Sequence, residues 1–354
     1  MNKTSKSFLA KLLSVPSPTG FEEKIQRAVK RHVSTFTKKV STDLHGNLIA
    51  CCGSDNERRI MLAGHCDQIG FMVTHIDKKG FIYVSRLGGI DPATLFASRV
   101  TIYGDKGPVD GVFGRKAIHR QSSEERSRQK LDLSKMWIDI GAKSDKDAMK
   151  RVAIGDPCTY RLENFQLSND LICGPGLDDK VGLFVVMETL RLCSRVKLGV
   201  QLCSVSTVQE EVGLRGATTS TYGLQPEVGI AVDVTHSSDS PEVEDKKIVP
   251  CELGKGPAIY KGPNVNPVIF RMLVNSAKKH RIPYQILPTS VLLGNDARAM
   301  QVSRSGVASA SIGIPNRYMH TQAEVCSLKD LENSAKLLAV FAKSITVRTD
   351  FRPR

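Results

Sequence analysis

Five short stretches, far apart in the chain, carry side chains able to bind a cation or move a proton. They are Gly64-His65-Cys66-Asp67-Gln68, Gly176-Leu177-Asp178-Asp179-Lys180, Gln209-Glu210-Glu211-Val212-Gly213, Val232-Asp233-Val234-Thr235-His236 and Arg317-Tyr318-Met319-His320-Thr321. Each has an ordinary reading. Asp178 at a helix start can be a cap, Asp233 can hold a loop, and His65 or His320 can be a turn residue. The adjacent glutamates can pair with surface cations. Together they have a chemical reading. Two imidazoles and three carboxylates, one of them bridging, suit a pair of divalent ions of the zinc, cobalt or manganese type. A further carboxylate left unligated is what a water-activating site needs.

The surrounding pattern gives these residues a common position. Leu48–Cys51, Ile60–Ala63, Val200–Ser206, Val228–Val232 and Ser309–Ile314 read as strands, with Asp55-Asn56-Glu57 as a hairpin turn between the first two. His65, Glu210, Glu211, Asp233 and His320 lie at or just beyond the ends of such strands. Ligands of open α/β sheets gather at carboxyl ends of that kind. His65 and Asp67, two apart in extended chain, can face the same way. Asp178 follows a Gly/Pro loop, Cys173-Gly174-Pro175-Gly176, and precedes an apolar run with helical spacing from Val181 to Leu192. Asn266–His280 and Ser327–Ile345 read as helices, and Met1–Thr19 contains an amphipathic one.

The texture changes between about Phe71 and Leu167. Short β-type runs (Phe71–Val73, Phe81–Val84, Val100–Tyr103, Met136–Ile140) alternate with Gly-rich turns, and Ser144–Arg151 reads as a short helix. The expected fold class is therefore α/β. It comprises a helix-covered mixed β-sheet, mostly parallel, over 1–68 and 168–354, with a small β-barrel or sandwich inserted at 69–167.

The chain has 354 residues, nine cysteines and a formal net charge of +14. No stretch approaches the length of a membrane span, and no nucleic-acid module is recognisable, so neither a membrane nor a nucleic acid is an expected partner. The scattered cysteines suggest a reducing, cytoplasmic setting with no disulfide frame. The basic run 115–130 and the tail 348–354 read as poorly ordered.

In these motifs, and in their order, the chain resembles the tetrahedral (TET) aminopeptidases, the deblocking and glutamyl type sometimes also labelled endoglucanases. The inserted region shares the resemblance through Leu87-Gly88-Gly89-Ile90-Asp91-Pro92, Gly111-Val112-Phe113-Gly114 with His119, and Ile138-Asp139-Ile140-Gly141-Ala142. The resemblance implies peptide substrates, two divalent metal ions per subunit, and dimers, joined through the inserted domain, that assemble into a dodecamer. By the same resemblance His65 and Asp233 hold one metal, Glu211 and His320 the other, and Asp178 bridges them. Asp67 orients His65, Glu210 is the general base, and Asp296, in Gly294-Asn295-Asp296-Ala297, lies near the substrate. This chain departs from the family pattern at Gln68, where an acidic residue is usual, and at Asn295, where the family has Thr. His236 is not expected to be a ligand. A glycosidase reading needs only a carboxylate pair and leaves both histidines unexplained. A carboxypeptidase or deacylase on the same core would carry a different insertion.

Overall fold

The structure is a computed structural model describing residues 1–54, 58–122, 131–241 and 249–353. The expected turn at Asp55-Asn56-Glu57 and most of the basic run lie outside the described residues.

Two β-systems organise the chain. The larger is an 11-stranded mixed sheet. Its centre is parallel: Gln201–Thr207, Arg59–His65, Val228–His236 and Ala308–Arg317 lie side by side in that order. Their carboxyl ends therefore share one edge, and they end in or near Glu210, His65, Asp233 and His320. These four strands are buried on both faces, and their runs are accordingly continuous rather than alternating. Leu48–Gly53 is not hairpinned to Arg59–His65, as the sequence suggested. Gln201–Thr207 lies between them, antiparallel to the first and parallel to the second.

The helix Leu177–Cys193 fills the space between this sheet and the terminal helix Leu328–Ser344. It is buried almost all round, which explains its apolar sequence on every side. Each fully buried Leu, Val or Phe there contributes about 1.5–3 kcal/mol. Gly64 sets how closely helix and strand approach. A Cβ at Gly64 would stand 2.6 Å from the backbone of Gly182. Any other residue would push the helix away from the strand that ends in His65. On the opposite face the helices Arg215–Leu224 and Asp296–Gln301 cover Met61, Ala63, Val205 and Ala231.

The second system is a closed six-stranded barrel formed by Gly70–Ile76, Ile82–Leu87, Met136–Asp139, Gly107–Arg115, Arg99–Gly104 and Pro157–Tyr160. Its own apolar core is centred on Phe71, Phe113, Ile138 and Tyr160. Phe165–Leu167 already pairs with the large sheet, through Leu171–Gly174, so the chain leaves the barrel before residue 167. The helix within the barrel segment is a single turn, Asp145–Ala148.

Two other expectations change. Cys51 and Cys203 form a disulfide, their Cα atoms 4.2 Å apart and directly paired across adjacent strands. The other seven cysteines are buried and free. The tail is anchored rather than loose. Phe351 is buried, and Arg58 donates to the carbonyls of Thr346 and Thr349. Among the described residues, no helix is long and apolar enough to cross a membrane.

Candidate metal centre

The site is built from two corners that share one carboxylate. At the first, the strand Arg59–His65 delivers a histidine that is 2% exposed. His65 Nε2 lies 3.2 Å from Asp178 Oδ1 and 3.9 Å from Asp233 Oδ1. Its other nitrogen, Nδ1, is 3.0 Å from the Asp67 carbonyl and 3.4 Å from Asp67 Oδ1. Asp67 has no solvent contact and accepts from the backbone N–H of Glu210 (3.1 Å), the N–H of Glu211 (3.2 Å) and the Thr19 hydroxyl. One buried carboxylate thus fixes both the imidazole and the strand end that carries the glutamates. The His65 N–H in turn donates to Asp179 Oδ2.

At the second corner, His320 Nε2 lies 3.1 Å from Asp178 Oδ2 and 3.6 Å from Glu211 Oε2. Glu324, 1% exposed, is the counterpart of Asp67. It accepts from the backbone N–H groups of Asp178 (3.0 Å) and His320 (2.9 Å). The loops are bent sharply to present these groups. Gln209, Leu214, Tyr318 and His320 all have positive φ without being glycine, a conformation that clusters at functional sites.

The five expected ligands therefore come together as two triads, His65/Asp178/Asp233 and Asp178/Glu211/His320, the donor atoms of each lying within 4.8 Å of one another. Glu210, outside both triads, has Oε2 3.9 Å from His65 Nε2. Asp296, expected to lie near the substrate, follows directly on the cavity-lining Asn295. It is 3% exposed and accepts the Thr207 hydroxyl at 2.6 Å. From that stretch it is Leu293, Gly294, Asn295 and Arg298 that line the cavity. Asn295 caps the short helix through the Ala297 N–H and bonds Ser311. Gln68 is buried and accepts from Lys180 Nζ.

So many carboxylates in one buried place disturb one another. Burial, together with Asp178, pushes Glu211 well above the usual carboxylate range, Asp233 up to about 7 and Glu324 up to about 8. Burial raises Glu210 to about 10, against the pull of His65 and with help from Asp233 and Asp296. Asp178 departs the other way. Burial alone would raise it, but hydrogen bonds from His320 and His65 hold it below its ordinary value. Among the described residues no lysine or arginine pairs with these acids. Glu211 Oε1 is buried without a hydrogen-bond partner. Buried anions left like this are unfavourable unless a cation joins them. Mixed imidazole and carboxylate donors, an orphaned carboxylate oxygen and surplus negative charge all fit divalent ions.

Residues the sequence reading did not single out include Glu324 and the inward role of Asp179. Asp179 had a signal, being adjacent to Asp178. Glu324 had none, since its relation to Asp178 arises only when the strand Glu324–Ser327 pairs with Leu171–Gly174.

Strand ends that converge on a donor set with one shared carboxylate define a metal-dependent hydrolase. The M42 glutamyl aminopeptidase family model matches residues 46–337. The chain belongs to that family and is a metal-dependent aminopeptidase, a hydrolase of peptide bonds. It is 36% identical to a lysyl aminopeptidase of Pyrococcus furiosus, with 98% of each chain covered. Among solved structures it resembles the TET aminopeptidase of a marine sediment Thaumarchaeota archaeon (TM-score 0.92, 30% identity, 98% of each chain). It also resembles the Pyrococcus horikoshii TET1 peptidase, which can assemble into a tetrahedron or a large octahedral shell (TM-score 0.84, 29% identity, 96% of this chain and all of that one).

Proposed function

We propose that this aminopeptidase works with two divalent ions, zinc, cobalt or manganese. His65 and Asp233 would hold one, Glu211 and His320 the other, and Asp178 both. The observation that carries this is the split of Asp178, each of whose oxygens faces a different imidazole at 3.1–3.2 Å. When bound, such ions supply Lewis acidity and bring a water's pKa towards neutrality. The protein's own residues do the rest. Glu210, outside both triads, accepts the proton of the attacking water at its carboxylate and delivers it to the leaving amine. Asp67 keeps His65 and the Glu210 backbone in register, and Glu324 does so for Asp178 and His320. Asp296, whose charge helps raise the proton affinity of Glu210, supports the base from the substrate side of the cavity wall that Asn295 lines.

The two imidazoles at the shared carboxylate have no task in glycoside hydrolysis, which favours the peptidase reading over an endoglucanase one. The family's description and the Pyrococcus furiosus relative's name differ in the residue released, so the reaction is carried over here and the preference is not. We further propose that residues 69–167 act as an assembly domain, joining copies of this chain into dimers and a dodecamer, as the shells of the TET1 relative suggest. The test is an assay with aminoacyl chromogenic substrates before and after chelation. Activity should vanish with the chelator and return with zinc, cobalt or manganese. Persistence without metal would refute the proposal.

A further inference from the structure

Part of the wall of the catalytic cavity comes from the barrel. The strand Ile82–Leu87 runs on into Gly88 and Gly89, and Gly89 lines the cavity together with Asp178, Glu211 and His320. The barrel holds this turn on both sides. Leu87 pairs with Gly70, Arg86 donates to the Ile90 carbonyl at 2.9 Å, and Ile90 is buried in the barrel core. Gly88 has φ +87°, and a Cβ there would stand 2.8 Å from Ile69 Cγ2 and 3.1 Å from Glu211 Oε2. A Cβ at Gly89 would stand 3.3 Å from His320 Nδ1. The nearest atoms to both positions thus belong to Ile69, Glu211 or His320, and none to His65 or Asp233. Glu211 and His320 are the two ligands that the second triad does not share with the first. Glu324 holds His320 by its backbone N–H, so the Nδ1 edge of the ring is left to face Gly89.

We infer that Gly88 and Gly89 are positioning residues for the second metal corner: through them the barrel sets where Glu211 and His320 stand, while His65 and Asp233 are placed by strands of the large sheet. The inference rests on the two-ion reading and gives the barrel a part in it. Comfortable contact between carbon atoms begins at about 3.5 Å. A methyl group at either glycine therefore displaces its neighbour by several tenths of an ångström. Such a shift matters where side chains must be held to within about 0.5 Å of a productive geometry. Groups that orient ligands from behind act on metal affinity in the same way as the ligands themselves, to a smaller degree. The left-handed backbone at Gly88 adds a second reason for glycine there. Gly89 needs none on conformational grounds, which makes its closeness to His320 the informative contact.

The test titrates zinc into the metal-free full chain by calorimetry, comparing the parent with Gly88→Ala, Gly89→Ala, His320→Ala and Gly107→Ala. Gly107 lies on another positive-φ turn of the same barrel, with nothing within 4 Å of where its Cβ would be. Gly107→Ala therefore strains the barrel without touching the metal centre. The parent should bind zinc in two steps. Gly88→Ala and Gly89→Ala should weaken, by about tenfold or more, the step that His320→Ala abolishes, and leave the other unchanged. Gly107→Ala should alter neither. Both steps unchanged in the two variants, both weakened alike, or the same loss in Gly107→Ala overturns the inference while leaving the two-ion reading intact. Should Gly88→Ala not fold, Gly89→Ala decides, since its backbone lies outside the left-handed region. A single zinc step in the parent would instead sink the two-ion reading, and this inference with it.

Discussion

The two corners of the metal centre are built to one plan but to different degrees. Each presents an imidazole to one oxygen of Asp178, and each is braced by a buried carboxylate that grips backbone N–H groups. His65, however, sits in the sheet at 2% exposure, and its brace, Asp67, engages its imidazole, two N–H groups and a hydroxyl. The His320 side chain is about a third exposed, stands on a positive-φ turn, and is braced by Glu324 through two N–H groups. One half is rooted in the sheet and the other stands open to solvent. The more exposed half is held by fewer bonds.

The largest effect should come from the residue the halves share functionally. Glu210→Gln keeps size and removes the proton acceptor, so kcat should drop roughly 10²- to 10⁴-fold with metal content unchanged by mass spectrometry. If metal is lost as well, Glu210 is a ligand and the division of roles is wrong. Next come the braces. Asp67→Asn should weaken metal binding by about 10–100-fold. Glu324→Gln should fall at the lower end of that range, near tenfold. Equal losses in isothermal titration would erase the asymmetry. A chelator titration followed by metal analysis sharpens the same point: one equivalent should leave before the other, and the early one should be the equivalent that His320→Ala abolishes.

The smallest effect concerns pH. In metal-free protein Asp233 and Glu324 are raised to about 7 and about 8, by burial first and Asp178 second. A carboxyl with a raised folded-state pKa contributes stability that is fully present below its unfolded value, near 4. That contribution is lost as pH rises through the folded value. The melting temperature of metal-free protein should therefore fall by a few degrees between about pH 5 and pH 8. Added metal should flatten or reverse the trend, since it binds the ionised forms. A metal-free melting temperature that rises over this window would show that these acids are not held protonated.

How much of this could be read in advance differs by element. The helices Pro267–His280 and Leu328–Ser344 were legible because Asn266 and Ser327 are strong caps placed before apolar periodicity, and both do cap. Four of the five expected ligand positions, His65, Glu211, Asp233 and His320, were legible because each lies at or just beyond the end of a strand of unmistakable composition, and Asp178 because a Gly/Pro loop and an apolar helical run flank it. Arg215–Leu224 was missed. Its Thr and Ser residues favour other conformations, and it is helical because it packs on the sheet and bonds its hydroxyls back to its own carbonyls. The Cys51–Cys203 pair, 152 residues apart, and the strand inserted between Leu48–Gly53 and Arg59–His65 both depend on long-range strand order, which local pattern does not encode. Asp296 was placed near the substrate by the family resemblance of Gly294-Asn295-Asp296-Ala297 alone. In the structure it is buried and accepts the Thr207 hydroxyl.

The central claim is that Asp178 is held in common by two ions while Glu210 binds neither. Anomalous diffraction from crystals of the zinc-loaded protein tests it most directly. The account predicts two peaks about 3.5–4 Å apart, one on each side of the Asp178 carboxylate, with Glu211 on one of them and Glu210 on neither. A single peak, or Glu210 found among the ligands, would contradict it.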